Sequence, residues 1–149
     1  MMLLYLDMCC FNRPFDNQSQ QKIYLETEAK LFIQRKIKDG IFHIAWSYML
    51  DYENTANPNI DAKQAIQKWE SIASQIVIVS QEIIACAKKL QENGFGKKDS
   101  LHIACAIEIK AKYFLTVDKN ILKKRNAVNE IIILNPVEFI AMEDEIYEN

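Results

Sequence analysis

Four acidic residues stand where an apolar pattern should either continue or stop. Asp7 closes the run MLLYL, and Asp118 closes the run YFLTV. Trp46, Met49, Leu50 and Glu53 fall on one helical face, so Glu53 takes a seat where the pattern wants an apolar residue. Asp99 heads the stripe Asp99, Ile103, Ala106, Ile107 in the same way. Taken singly, an aspartate after a strand begins a turn or caps a helix, and an acid in the first helical turn meets the positive end of the helix dipole. Asp51, one turn-step from the Glu53 face, is expected to be solvated. Together the acids suggest different chemistry. Carboxylates gathered at one place repel, so either some pKa values rise or divalent cations neutralise them. All-oxygen donors favour hard ions such as Mg²⁺ or Mn²⁺. Ions held that way are a recurrent means of hydrolysing phosphodiesters.

The elements that must position these acids are legible from the apolar pattern. Met2–Leu6, Ile41–Ala45, Ile76–Val79, Tyr113–Val117 and Ile131–Leu134 are continuous runs rich in Ile, Val, Leu and aromatics. Strands buried on both faces of a parallel sheet read this way. Between them lie helical periods: a long helix over residues 20–38 stopped by Gly40, and a short one from an Ser47 N-cap through Asn54. Further helices are predicted over 62–73, 83–90 and 101–112, the second of these ended by glycines in ENGFG. Strands alternating with helices imply right-handed crossovers and a parallel sheet covered on both faces. The reading is one α/β domain over residues 1–149, without repeats or linkers. In such sheets ligands sit outside the carboxyl ends of the strands, where the strand order reverses. If the first and fourth strands flank that reversal, Asp7 and Asp118 face one crevice.

Composition narrows the classes. The net charge of −2 announces no large basic face for a nucleic acid. Cys9, Cys10, Cys86 and Cys105 form no CxxC pair, and neither His43 nor His102 stands at zinc-ligand spacing from a thiol. Free thiols suggest a reducing compartment. MMLLYLD has no basic leader and meets an acid too early for a signal peptide, and no apolar stretch is long enough to span a bilayer. The expectation is a soluble cytoplasmic protein. A receiver-like domain, which also groups acids at strand ends, would need a lysine after the last strand. That strand ends in LNP.

At these residues the chain resembles the PIN domain, a family of metal-dependent ribonucleases that includes the VapC-like toxins of bacterial toxin–antitoxin pairs. The resemblance runs from YLDMCCFNRPFD through SYMLDYEN and KKDSLHIACAIEIKAKYFLTVDKNIL to NPVEFI. It implies a three-layer α/β/α fold with a five-stranded parallel sheet in the order 3-2-1-4-5. It also implies an acidic quartet of Asp7, Glu53, Asp99 and Asp118, both catalytic and metal-holding, supported by Thr116. The cofactor would be Mg²⁺ or Mn²⁺ and the substrate RNA, with a homodimer and an antitoxin protein as partners. Family members often carry Asn or Ser two residues after the first acid. Cys9 stands there, which puts that polar contact in question but should not abolish metal binding. Arg13, Lys97, Lys98 and Lys119 lie near the acids in sequence, with Arg13 and Lys98 expected to meet substrate phosphates. His102 is expected to be a satisfied core or supporting histidine, and Trp46 and Trp69 core or interface residues. Apolar helix surface along Trp69, Ile72 and Tyr48 is the expected dimer face. The competing readings are a catalytically silent PIN-like interaction module and a PIN nuclease for structured RNA or DNA.

Overall fold

The computed structural model describes the backbone of residues 2–148 and the side chains of residues 2–143. The first strand, β1 (Met2–Leu6), leads through α1 (Met8–Asn12), a 3₁₀ turn (Arg13–Phe15) and α2 (Gln21–Lys38) to β2 (Phe42–Ser47). The helices α3 (Tyr48–Thr55), α4 (Ile60–Gln67) and α5 (Trp69–Ile72) connect to β3 (Gln75–Val77). Two longer helices, α6 (Gln81–Glu92) and α7 (Lys97–Glu108), return the chain to β4 (Tyr113–Leu115). A short α8 (Lys119–Lys123) and a 3₁₀ turn (Arg125–Ala127) precede β5 (Ile132–Leu134) and the closing α9 (Pro136–Glu148).

All pairings are parallel and the strand order is β3-β2-β1-β4-β5. This is the expected three-layer α/β/α sheet. β1 takes the centre because Leu3, Leu4, Tyr5 and Leu6 are all buried, the environment a continuous apolar strand requires. Leu4 registers against Ile44 on one side and Tyr113 on the other. The chain moves one way from β1 to β3, then crosses back to place β4 beside β1. Right-handed crossovers in opposite directions put helices on opposite faces. Thus α2 packs with α9 while α6 packs with α7. Phe139 anchors α9, its ring edge-on to Phe42 at 5.4 Å and Tyr113 at 5.2 Å.

Three expectations change. The helix predicted over 62–73 is two helices, α4 and α5, divided at Lys68. β3 is not buried on both faces: Val77 is buried, but Ile76, Ile78 and Val79 are exposed, because the strand lies at the edge of the sheet. The helix predicted over 101–112 begins earlier, at Lys97, and ends at Glu108. The glycine stops are found as expected, with Gly40 and Gly94 at positive φ after α2 and α6.

Candidate functional site

The reversal of strand order falls between β1 and β4, and both strands deliver an acid there. Asp7 ends β1 and caps α1, its Oδ1 accepting from Met8 N at 2.9 Å. Its backbone N–H still donates to Leu115 O, so the carboxylate leaves the sheet at the last rung of the ladder. Asp118 caps α8, its Oδ1 accepting from Asn120 N at 2.8 Å and Ile121 N at 3.2 Å. Thr116 joins the two. Its fully buried hydroxyl donates to Asp7 Oδ2 at 2.8 Å and accepts from Asp118 N at 3.1 Å. Residues read from sequence as strand enders are therefore helix caps as well, and the two roles are compatible.

Cys9 supplies the polar contact that its residue type had put in question. Its Sγ lies 3.4 Å from Asp7 Oδ2 and 3.3 Å from Thr116 Oγ1, and accepts from Val117 N at 3.4 Å. The thiol occupies the polar position rather than vacating it. The contact with Cys10, burial and the Asp7 charge push its pKa well above the ordinary thiol value, so it remains a neutral S–H.

Glu53 and Asp99 approach from the helices. Ser47 caps α3 by accepting from Leu50 N at 3.2 Å, which fixes the turn carrying Glu53. Glu53 Oε1 meets His102 Nε2 at 2.5 Å. Burial alone would raise the Glu53 pKa, but the His102 contact and the Lys98 ammonium outweigh it, and the net shift is down. His102 responds in the opposite sense: burial opposes its charged form, while Glu53, Asp7 and Asp99 raise its pKa overall. His102 is thus buried and satisfied, as read from the sequence.

Asp99 differs from the other three. It is partly buried, and among the described residues no hydrogen bond ends on its carboxylate. Burial, reinforced by Asp7, Asp118 and Glu53, pushes its pKa up to about 6. Asp99 therefore feels the charges of the other three acids. Among the described residues no three His, Cys, Asp or Glu side chains close on a ready-made metal cage. The donor set nonetheless fits a hard ion, since Mg²⁺ keeps several waters and is usually bound through one or two carboxylates rather than a full protein cage.

The basic residues separate. Lys98 stays at the rim, its Nζ 5.7 Å from the centre of the exposed Tyr52 ring. Lys97 and Lys119 are exposed. Arg13 is committed elsewhere. Its Nε and Nη2 donate to the buried Glu26 Oε1 at 2.9 and 2.7 Å, and its Nη1 to Asp16 at 3.0 Å. That pairing ties the turn after α1 to α2, so the geometry does not favour the phosphate role expected of Arg13. Asp51 is not merely solvated: it accepts from Trp46 Nε1 at 2.8 Å and Gln67 Nε2 at 2.9 Å, tying β2 to α4. Trp69 is buried under Lys30, whose Nζ lies 5.2 Å from its ring, and is not free to form a dimer face. Ile72 beside it remains exposed. These two residues and Lys30 line a cavity of about 390 Å³ that includes none of the four acids.

Sequence reasoning missed Tyr5 as a polar partner of His102, and Ser47 as the link behind Tyr5. Tyr5 Oη lies 2.7 Å from His102 Nδ1 and 2.6 Å from Ser47 Oγ. Both belong to apolar strands, and nothing in a linear pattern marks a buried hydroxyl as paired.

No protein-family model matches the sequence, and no curated protein matches it. Solved structures do match. A chain of VapBC2 from Rickettsia felis, in a crystal structure bound to a DNA fragment from their promoter, aligns with TM-score 0.55 and 18% identity. That alignment covers 90% of this chain and 98% of the other. A chain of VapBC-1 from nontypeable Haemophilus influenzae aligns with TM-score 0.56 and 14% identity, covering 91% and 98%. At these identities the likeness is one of fold. The fold that the PIN resemblance implied is the fold found.

Proposed function

We propose that this chain, which folds like chains of two VapBC structures, is a metal-dependent endoribonuclease and the toxin of a toxin–antitoxin pair. The observation that carries the reading is Asp99. A partly buried carboxylate with no hydrogen bond among the described residues, pushed up in pKa by burial and by the charges of Asp7, Asp118 and Glu53, leaves repulsion that protons or cations relieve. Asp7, Glu53, Asp99 and Asp118 would hold Mg²⁺ or Mn²⁺ there. When bound, a divalent ion supplies an activated water and offsets charge developing on the phosphate.

The chain's own residues do the remaining work. Thr116 fixes the Asp7 carboxylate and the backbone of Asp118 relative to each other. Asp118 keeps Oδ2 clear of the cap, which uses Oδ1 alone. Lys98 and the exposed Tyr52 stand at the rim, one suited to a phosphate and the other to stacking an unpaired base. With a net charge of −2, affinity for RNA would come from these few groups and the bound cations. The protein partner in this reading is an antitoxin, and the exposed helix surface near Ile72 suits a homodimer.

The test is cleavage of single-stranded RNA by the purified chain in Mn²⁺, beside EDTA-treated protein and an Asp99→Asn variant. The expected outcome is cutting by the metal-loaded wild type alone. Cutting that persists in EDTA, or in the variant, would overturn the reading. RNA binding without any cutting would replace it with a silent interaction module.

A further inference from the structure

Behind the four acids runs a buried ring of polar contacts that closes on the helix it starts from. Glu53 Oε1 meets His102 Nε2 at 2.5 Å, and His102 Nδ1 meets Tyr5 Oη at 2.7 Å. Tyr5 Oη meets Ser47 Oγ at 2.6 Å, and Ser47 Oγ caps α3 through Leu50 N. Leu50 precedes Glu53 by one turn in the same helix. The ring thus links the middle of β1, the end of β2, α3 and α7. Tyr5 and Ser47 are fully buried and His102 nearly so. The Tyr5 ring is also clamped, stacked on Phe114 at 5.4 Å and edge-on to His102 at 5.8 Å.

Three polar side chains in a core are costly unless each is paired, and partly paired networks are worse than none. Packing alone would be served by apolar residues of the same shape. The hydrogen-bond directions suit another task. With a neutral imidazole, Ser47 donates to Tyr5, Tyr5 donates to Nδ1, and Nε2–H donates to Glu53. With an imidazolium, Nδ1–H donates to Tyr5 and Tyr5 donates to Ser47. In both cases an Nε2–H faces the carboxylate. Oε1 is therefore committed to His102, while among the described residues no hydrogen bond reaches Oε2.

We propose that His102, Tyr5 and Ser47 are positioning residues that lock Glu53 so that it offers one oxygen, Oε2, to a cation held with the other acids. This rests on the reading of Glu53 as a metal-holding residue. A glutamate at a helix surface samples many rotamers, and the ring removes that freedom before any ligand arrives. Outer partners of metal-holding groups characteristically tune affinity tenfold or more.

The experiment uses the full chain with a single hydroxyl deleted. Tyr5→Phe keeps the stacked ring and removes the central link. Tyr113→Phe is the control, since Tyr113 is also buried but among the described residues its hydroxyl reaches only Met142 Sδ at 4.0 Å. Mn²⁺ binding without nucleic acid is measured by calorimetry, and the Glu53 carboxyl carbon and His102 ring nitrogens are followed by NMR in metal-free protein. Tyr5→Phe is expected to weaken Mn²⁺ about tenfold and to shift the Glu53 and His102 signals, while Tyr113→Phe matches wild type. Should Tyr5→Phe fail to fold, Ser47→Thr serves instead: it keeps hydroxyl and cap and should retain affinity that Ser47→Ala loses. Tyr5→Phe binding within twofold of wild type, equal weakening in the control, or equal loss in Ser47→Thr and Ser47→Ala would overturn the proposal. If wild type takes up no Mn²⁺, the metal reading itself fails. The metal-free spectra then decide the ring, and an unchanged Glu53 signal in Tyr5→Phe sinks it.

Discussion

Replacing Asp99 by Asn should make the metal-free protein more stable at pH 8 and change it little at pH 4, near the foot of the titration. The native pKa of Asp99 is pushed up from 3.8 to about 6. Between those values the native state holds a proton that the unfolded chain has lost, so stability falls as pH rises through this window. Below it both states are protonated and nothing is lost. Above it the whole cost is present. About two pKa units correspond to roughly 3 kcal/mol without screening. The carboxylate is only partly buried, so solvent reduces that to on the order of 1 kcal/mol. For a chain of this size the shift in Tm is about 2–4 °C. Thermal melts of both proteins in EDTA at pH 4 and pH 8 provide the assay. Adding Mg²⁺ at pH 8 should then stabilise wild type more than the variant. No gain at pH 8, or an equal gain at both pH values, would refute the claim that Asp99 carries unrelieved charge.

Two substitutions separate support from chemistry elsewhere in the site. Asp118→Asn keeps an oxygen for the α8 cap and should melt within about 2 °C of wild type while losing cleavage, whereas Asp118→Ala should lose about 1 kcal/mol of stability as well. A melting drop in Asp118→Asn as large as that of Asp118→Ala would mean the charge itself is structural. Arg13→Ala leaves the buried Glu26 with the Asn135 amide as its one remaining partner among the described residues and should cost on the order of 3 kcal/mol. An unchanged melting point with lost RNA affinity would instead return Arg13 to the phosphate role.

The sequence by itself determined the sheet, because a strand buried on both faces must be apolar throughout. That necessity is written in MLLYL, FHIAW and YFL. It also marked the four acids, since each interrupts a pattern whose period is local. It could not settle the partners of Arg13 and Asp51. Whether a surface charge is solvated or paired depends on residues brought near from elsewhere, Glu26 for one and Trp46 and Gln67 for the other. Nor could it show that the edge strand β3 keeps Ile76 and Ile78 exposed, because position within a sheet follows from the whole topology. The ring through Tyr5, His102 and Ser47 is the clearest case. Its contacts span 97 residues between Tyr5 and His102 and 42 between Tyr5 and Ser47. Tyr5 reads as an ordinary strand residue and Ser47 as a helix cap until the parallel sheet sets the ends of β1 and β2 beside α7. Local pattern marks which runs are apolar enough to be buried, and only the packing of distant elements decides which of them are buried and which buried polar atoms meet.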